Sequence, residues 1–399
     1  MISRKIRVGM IGGGLNSAVG RVHEIALKMD GRYALAAGCF SRNSTVNQET
    51  ASAYGVEQSR TYQNGEQLLE RENKNIDAVI IATPMSSHYH FIDLALQYGL
   101  KVITDKPYVS ELSDSCNLIA RSKHQRDSIF CIFNYTGYPM VREMRELIVR
   151  GVIGKIFRIM VEMPQDSYIR LRNTGKSGAI QSWRLSDGDI PCLTLDLFVH
   201  IHSLVKFLCE ERVVGVSALA RSVTQVSPNL VDEVDAHIQL NNNVLVNAWY
   251  GKASLGYRNG LRIRVFGTEG SCEWIQSDPE SLVLVDSFGR KAVNDRLTPG
   301  ALEAFKGRYQ RFKAGHPAGF IEAFANYYYD IADCLTLGSK SDYVMPLDVA
   351  HEGILVSHAI HHGTFFCSLA SKGFDDSGRL FAKTEQNANR KWIRARENV

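Results

Sequence analysis

The stretch IRVGMIGGG, residues 6–14, limits the fold more than any other. A near-continuous apolar run that ends on glycines reads as a parallel strand buried on both faces. Behind it, Val19, Val22, Ile25, Ala26 and Met29 fall on one helical stripe, so a helix is expected over 18–29. A strand that turns through glycines into a helix places the chain among the parallel α/β folds. Glycines in such a turn let backbone N–H groups approach a pyrophosphate at the helix N-terminus. The third glycine, however, is late. The usual spacing is G-x-G-x-x-G, whereas here five residues separate Gly14 from Gly20. Two readings stand: a glycine-rich connection without a ligand, or a lengthened dinucleotide loop. In the second, Gly12, Gly13, Gly14 and Asn16 face the cofactor, Leu15 to Ser17 lengthen the turn, and Gly20 serves helix–sheet packing.

The alternation continues. ALAAGCF, DAVIIATP, KVITDKP and SIFCIFN read as strands, with helices near 87–98 (closed by Gly99) and 111–126 between them. Residues 1–138 are therefore expected to form a Rossmann-type, doubly wound parallel sheet that binds NAD(P). After Gly151 and Gly154 strands dominate: IFRIMVEM, VVGVSALARSVT, EVDAHIQL, NVLVNAWYG, LRIRVFG and SCEWI, with LNNNV as a hairpin turn. The helix CLTLDLFVHIHSLVKFL interrupts them, and helical segments near 317–337 and 347–363 follow. This predicts a C-terminal α/β domain over 139–385 with a large, mostly antiparallel open sheet, for substrate binding and oligomerisation, then a basic tail over 386–399.

Composition narrows the partners. A formal charge of +4 with no basic block argues against nucleic acid. The chain lacks an eighteen-residue apolar stretch and a signal-peptide core, which points to a cytoplasmic protein with no membrane partner. Its eight cysteines are scattered singly, fitting reduced thiols better than disulfides or a metal site, and no metal is expected.

The end of the second strand normally tests the nucleotide, because NAD sites place an acid there for the ribose hydroxyls. This chain has CFSRN, residues 39–43, with no acid. Ser41 and Arg42 suit a 2′-phosphate, which favours NADP, unless Arg42 is a solvated loop residue.

Two further stretches are specific. Thr83, Pro84 and His88 form T-P-x-x-x-H, and Asp105-Lys106-Pro107 begins seventeen residues after His88. Asp196 and His200 form D-x-x-x-H on the helix of the second half. Together these closely resemble the Gfo/Idh/MocA family of sugar and polyol dehydrogenases, with Asp105 in place of that family's Glu. The resemblance covers most of the chain. NYTGYPMVREM and GHPAGFIEAFAN look like a longer-chain subgroup whose glycine loop also carries extra residues. It implies that Lys106, Asp196 and His200 form the catalytic group, and that Thr83, Pro84, His88, Lys106 and Pro107 flank the cofactor.

The chemistry agrees with that implication. Oxidising a secondary alcohol needs a hydride acceptor and a base for the hydroxyl proton. Asp196 and His200, four apart, should share one helix face, and histidine is the natural base near neutrality. Lys106 lies beyond the carboxyl end of a strand, where such sheets bind ligands, and Pro107 aims it, a cis bond being one way. Tyr135, Tyr138, Trp183 and Arg184 are candidates for the pocket of a sugar-like substrate, which would also meet Lys106, Asp196 and His200, or equally for structural residues. Phe198 stands where the family often has glycine, and a bulky ring there would narrow that pocket or alter the helix's approach. His90 should pack. His202 should be structural, and His351, His358, His361 and His362 should be packing and surface residues.

Three functions are compatible: an NAD(P)-dependent dehydrogenase of a ring hydroxyl on a sugar, sugar derivative or cyclitol; an oxidation–elimination–reduction glycosidase with tightly held cofactor; and a non-catalytic dinucleotide sensor. An exposed apolar sheet face would become an interface, so a homodimer or homotetramer built sheet to sheet is expected.

Overall fold

The structure, a computed structural model, describes residues 4–366 apart from 18, 176–179, 314, 339 and 364. The predicted tail over 386–399 lies outside the described residues. The first half contains β1 (Ile6–Gly12), α1 (Gly20–Met29), β2 (Tyr33–Cys39), α2 (Ser44–Tyr54), α3 (Gly65–Glu72), β3 (Ala78–Ala82) and α4 (His88–Gln97). It continues with β4 (Lys101–Thr104), α5 (Leu112–Ile119), α6 (Lys123–Arg126) and β5 (Ile129–Cys131). All five strands pair in parallel, in the order β2-β1-β3-β4-β5. An isolated parallel bridge, Gly38 to Thr61, adds the trace of a further strand outside β2. That vestige completes the order of a dinucleotide-binding sheet, with the reversal between β1 and β3. Every residue of β3 is buried, as expected for a strand covered on both faces.

Two helices differ from expectation. The stripe begun at 18 becomes helix only at Gly20, because Gly12 and Gly13 turn at φ +83° and +73° and the next residues form the longer turn. The stretch 111–126 breaks into α5 and α6, since Ser122 accepts a hydrogen bond from Gln125 N and caps a new helix.

The second half contains α7 (Pro139–Val149), β6 (Ile156–Pro164), α8 (Ser167–Thr174), α9 (Val199–Leu208), β7 (Val213–Arg221), β8 (Glu233–Leu240) and β9 (Leu245–Gly251). Then come β10 (Arg262–Gly267), β11 (Ser271–Ile275), β12 (Asp278–Val285), β13 (Lys291–Asn294), α10 (Phe320–Leu337), α11 (Leu347–His362) and β14 (Phe365–Phe366). Its sheet runs β13-β12-β11-β10-β6-β9-β8-β7-β14 and is antiparallel except between β6 and β9. Asn242 and Asn243 take φ +58° and +62° in the LNNNV turn, where asparagine tolerates the left-handed region.

The open face of this sheet is not the broad apolar surface expected. Ion pairs join Arg264 to Glu162 and Arg262 to Glu273, and Arg158 donates to Asn247. Alternation explains this: Ile159, Val161, Ile263 and Val265 point to the core, which leaves outward a mixed set in which these polar residues stand among Met160, Leu219, Leu245 and Trp249.

The C-terminal helices return to the first half. Tyr33 Oη donates to Tyr328 O at 2.7 Å, Arg32 pairs with Asp333 at 2.7 Å, and Ser115 Oγ lies 2.6 Å from His351 Nδ1. Fully buried Arg142 ties α7 to α10 through Asp330 at 2.6 Å. These contacts fasten α10 to the start of β2 and α11 to α5. No helix among the described residues is long and apolar enough to cross a membrane, and the seven described cysteines are all free.

Candidate active site

The crevice begins between β1 and β3. A Cβ on Gly12 would lie 2.5 Å from Ala82 O, so β3 can run this close only to a glycine. Gly13 and Gly14 are buried, and a Cβ on Gly14 would sit 3.0 Å from Phe40 O. Gly20 opens α1 directly on the loop, where a Cβ would meet Gly13 O at 2.1 Å. The late glycine therefore packs the helix on the loop, where helix–sheet packing was expected. Ser17 accepts from Gly20 N at 3.2 Å and so holds the lengthened turn, while Asn16 is exposed at its tip. A backbone cradle that no side chain can fill, at a helix N-terminus, fits a pyrophosphate.

Beside it, Thr83 and Pro84 leave β3. His88 does not reach into the crevice: its Nδ1 lies 2.7 Å from Pro107 O and its Nε2 2.9 Å from Thr83 O, with the ring almost wholly buried. A neutral imidazole has one N–H and donates to one of these carbonyls at a time; burial holds the ring toward that neutral form. His88 thus staples the Thr83 turn to Pro107, and the Lys106–Pro107 bond is cis. Burial would raise the Asp105 carboxyl, but His23, 3.7 Å away, together with Lys106 and His88 holds it below the ordinary value. At the end of β2, Arg42 is exposed and Ser41 Oγ accepts from Asn43 N at 3.1 Å.

Lys106 leads to the second cluster. Its Nζ donates to Asp196 O at 2.6 Å and to Asp196 Oδ1 at 3.0 Å. Arg184 Nη1 and Lys252 Nζ each donate to Asp196 Oδ2 at 2.7 Å. One carboxylate therefore meets three cations. Burial would raise its pKa, yet the three charges hold it well below the ordinary range. Asp196 and His200 do not sit in one regular α-helix, the setting their spacing predicts. Asp196 lies in a π-helical turn, Thr194–Phe198, and His200 in α9 just after it. Such a turn inserts an extra residue and re-aims side chains, often at functional sites. His200 is 6% exposed, and its Nδ1 is buried with no hydrogen-bond partner among the described residues. Burial first, then the charge of Lys106, holds its pKa well below the ordinary histidine value.

Tyr135 stands edge-on to His200, with ring centroids 4.7 Å apart, and its hydroxyl accepts from Asn259 Nδ2 at 2.7 Å. Arg184 stacks 4.4 Å over the Trp183 ring. Tyr138 is instead a core residue against Trp274. The expected obstruction by Phe198 does not occur: its fully buried ring packs on Tyr250 at 5.7 Å, because the π turn directs it into the core. His202 is structural as expected, lying 3.2 Å from Glu352. His90 is exposed beside Glu66 at 2.7 Å rather than packed, since it faces outward on α4.

The sequence reading missed Lys252, Asn259 and His23. Lys252 carried one faint signal, a lysine directly after the strand-ending Gly251. Asn259 sits in a loop without pattern, and His23 lies within the apolar stripe of α1.

Known proteins resemble this chain along most of its length. It is 27% identical over 350 residues to the uncharacterized oxidoreductase YfiI of Bacillus subtilis, covering 86% of this chain and 88% of that one. Myo-inositol 2-dehydrogenase of Thermotoga maritima is 24% identical, with 78% and 90% covered. The crystal structure of an oxidoreductase from Sinorhizobium meliloti superposes with a TM-score of 0.77 at 30% identity, covering 90% of this chain and 97% of that one. An inositol dehydrogenase homolog from Azotobacter vinelandii, solved with NADH and myo-inositol, shares the fold at a TM-score of 0.80 and 24% identity, with 90% and 95% covered. The family models "Oxidoreductase family, NAD-binding Rossmann fold" and "GFO/IDH/MocA C-terminal domain" match residues 6–133 and 141–273. With both halves matched and the glycine cradle in place, the chain belongs to the Gfo/Idh/MocA family of NAD-binding oxidoreductases.

Proposed function

We propose that this oxidoreductase acts on a ring hydroxyl of a sugar, sugar derivative or cyclitol, with Lys106, Asp196 and His200 as its proton-transfer group. One observation carries the reading. A triply paired carboxylate and a buried imidazole with an unpartnered nitrogen lie together at the carboxyl edge of the nucleotide-binding sheet. When bound, NAD(P) supplies the hydride acceptor at the substrate carbon.

The protein's own groups manage the proton. His200, kept neutral by burial and by Lys106, accepts the hydroxyl proton. Lys106 donates a hydrogen bond to the same oxygen as its charge grows. Asp196 stays ionised and keeps Lys106, Arg184 and Lys252 together. The Lys252 ammonium also lies 5.1 Å over the Tyr168 ring, and its main chain is fixed by Asp232 O at 2.8 Å, which makes it a rigid partner. Trp183 and Tyr135 give a sugar-like ring an aromatic surface, and Arg184 gives it a donor.

The test is Lys106→Ala and His200→Ala. Each should lower turnover about 10²–10⁴-fold, while NADH binding by fluorescence titration stays unchanged. Normal turnover in both variants would remove the assignment.

NADP is the preferred nucleotide in this reading, because β2 ends without a carboxylate and with Arg42 exposed. The protein also assembles as a homodimer or homotetramer through the outer face of the large sheet, where the Arg264–Glu162 and Arg262–Glu273 pairs offer both charges to a second copy. A monomeric mass by sedimentation would oppose that assembly.

A further inference from the structure

Beside the π turn, three side chains of the kinds that ligate metals meet. Asp189 lies in the segment 186–193 that leads into the π turn, and His358 and His362 stand one helical turn apart at the end of α11. Their ligand atoms all lie within 4.8 Å of one another. His358 Nε2 is 3.4 Å from Asp189 Oδ2, and His362 Nε2 is 3.1 Å from Asp189 Oδ1. A tetrahedral zinc ion with bonds near 2.0–2.1 Å separates its ligands by about 3.3 Å, so the two histidine–aspartate spacings suit it, and the wider spacings, up to 4.8 Å, must close on the ion. The two imidazoles stack with centroids 4.1 Å apart, so both side chains already project the same way from the helix.

We propose that Asp189, His358 and His362 bind one divalent transition-metal ion of the zinc class, with water completing its coordination. Two imidazoles and one carboxylate select such ions over magnesium or calcium, which take oxygen ligands.

An ordinary ion pair is the competing account, since half-exposed histidines beside an aspartate often form one. It requires protonated imidazoles. One carboxylate facing two stacked imidazoles is the arrangement a shared ion accounts for, because both rings then turn a nitrogen lone pair toward one centre.

The position gives the ion a purpose. His361 Nε2 already lies 2.6 Å from Thr194 Oγ1, the first residue of the π turn. An ion at Asp189 would fasten the preceding segment to the same helix, so both approaches to Asp196 would be tied to α11.

The experiment uses tag-free, full-length protein stripped with chelator and titrated calorimetrically with zinc chloride alone, with magnesium chloride in parallel. Wild type should bind one zinc per chain and no magnesium at this site, and its melting temperature should rise with zinc. Asp189→Asn and His358→Ala should each lose that zinc equivalent and that rise. Circular dichroism in chelator should match wild type; should either variant misfold, His362→Gln decides in its place. No zinc bound by wild type, or the same stoichiometry and affinity in the folded variants, overturns the proposal.

Discussion

The two ends of the crevice are built from different materials. The nucleotide end is backbone: Gly12, Gly13, Gly14 and Gly20 matter for the side chains they lack, and β1, β3 and α1 approach because nothing intervenes. The chemical end is side chain: Asp196 is held by Lys106 from the parallel sheet, Arg184 from a loop and Lys252 from the end of β9. A backbone cradle tolerates no added atom, whereas a charge cluster tolerates a change of shape better than a change of charge. The difference can be broken at each end separately.

The largest effect is expected at the cradle. Gly20→Val places a branched side chain where even a Cβ would sit 2.1 Å from Gly13 O. The loop must move away from α1, and NADH affinity should fall about 100-fold or more, roughly 3 kcal/mol. Fluorescence titration reads this directly. Unchanged affinity would show that the late glycine has no part in shaping the loop.

Lys252→Met tests the other end. It removes one of three charges on Asp196 and leaves an apolar chain over Tyr168. Removing one partner of a buried pair is costly when it leaves the other charge unpaired; Asp196 keeps Lys106 and Arg184, so the melting temperature should fall only modestly. Oxidation should still fall about 10–100-fold in kcat/KM, on the order of 1.4–2.8 kcal/mol, with NADH affinity intact. A loss of nucleotide affinity instead would mean that the two ends are not separable.

The acid side of the rate profile sharpens the same comparison. His200 is lowered by burial and by Lys106, so its neutral form persists as pH falls through the ordinary histidine pKa, near 6.5. Oxidation should therefore stay level through that pH and decline only below it. Lys106→Met removes one of the two lowering influences, so the limb of its residual activity should move to higher pH. A wild-type limb centred at the ordinary histidine value would contradict the buried, neutral base.

The sequence revealed these regions unequally. The cradle was legible because a glycine that must be glycine leaves a mark in the letters, and the apolar runs of β1 and β3 frame it. Lys106, Asp196 and His200 were legible through spacing. Their geometry was not: an i, i+4 pair implies one α-helical face, and nothing in TLDLF announces the π turn that re-aims Asp196 and sends Phe198 into the core. Lys252 was hidden because a charge is recruited by tertiary approach, and its partner is 56 residues away. The mixed outer face of the large sheet was readable in principle from strand alternation. The apolar count of those strands outweighed the register that decides which residues point inward.

The smallest effect is expected at the rim, where neither material encloses the ligand. Arg42 is exposed at the end of β2, and Ser41 is already engaged by Asn43 N. An exposed guanidinium pairing with a 2′-phosphate is screened by water and salt, so its share is modest. Arg42→Ala should raise KM for NADP about tenfold, about 1.4 kcal/mol, at low ionic strength, and less at high salt. KM for NAD should stay within about twofold, because Arg42 then has no phosphate to meet. Initial rates with both nucleotides at two salt concentrations measure this. Equal effects on the two would assign Arg42 to the adenosine they share, and no effect on either would leave the end of β2 without a role in nucleotide choice.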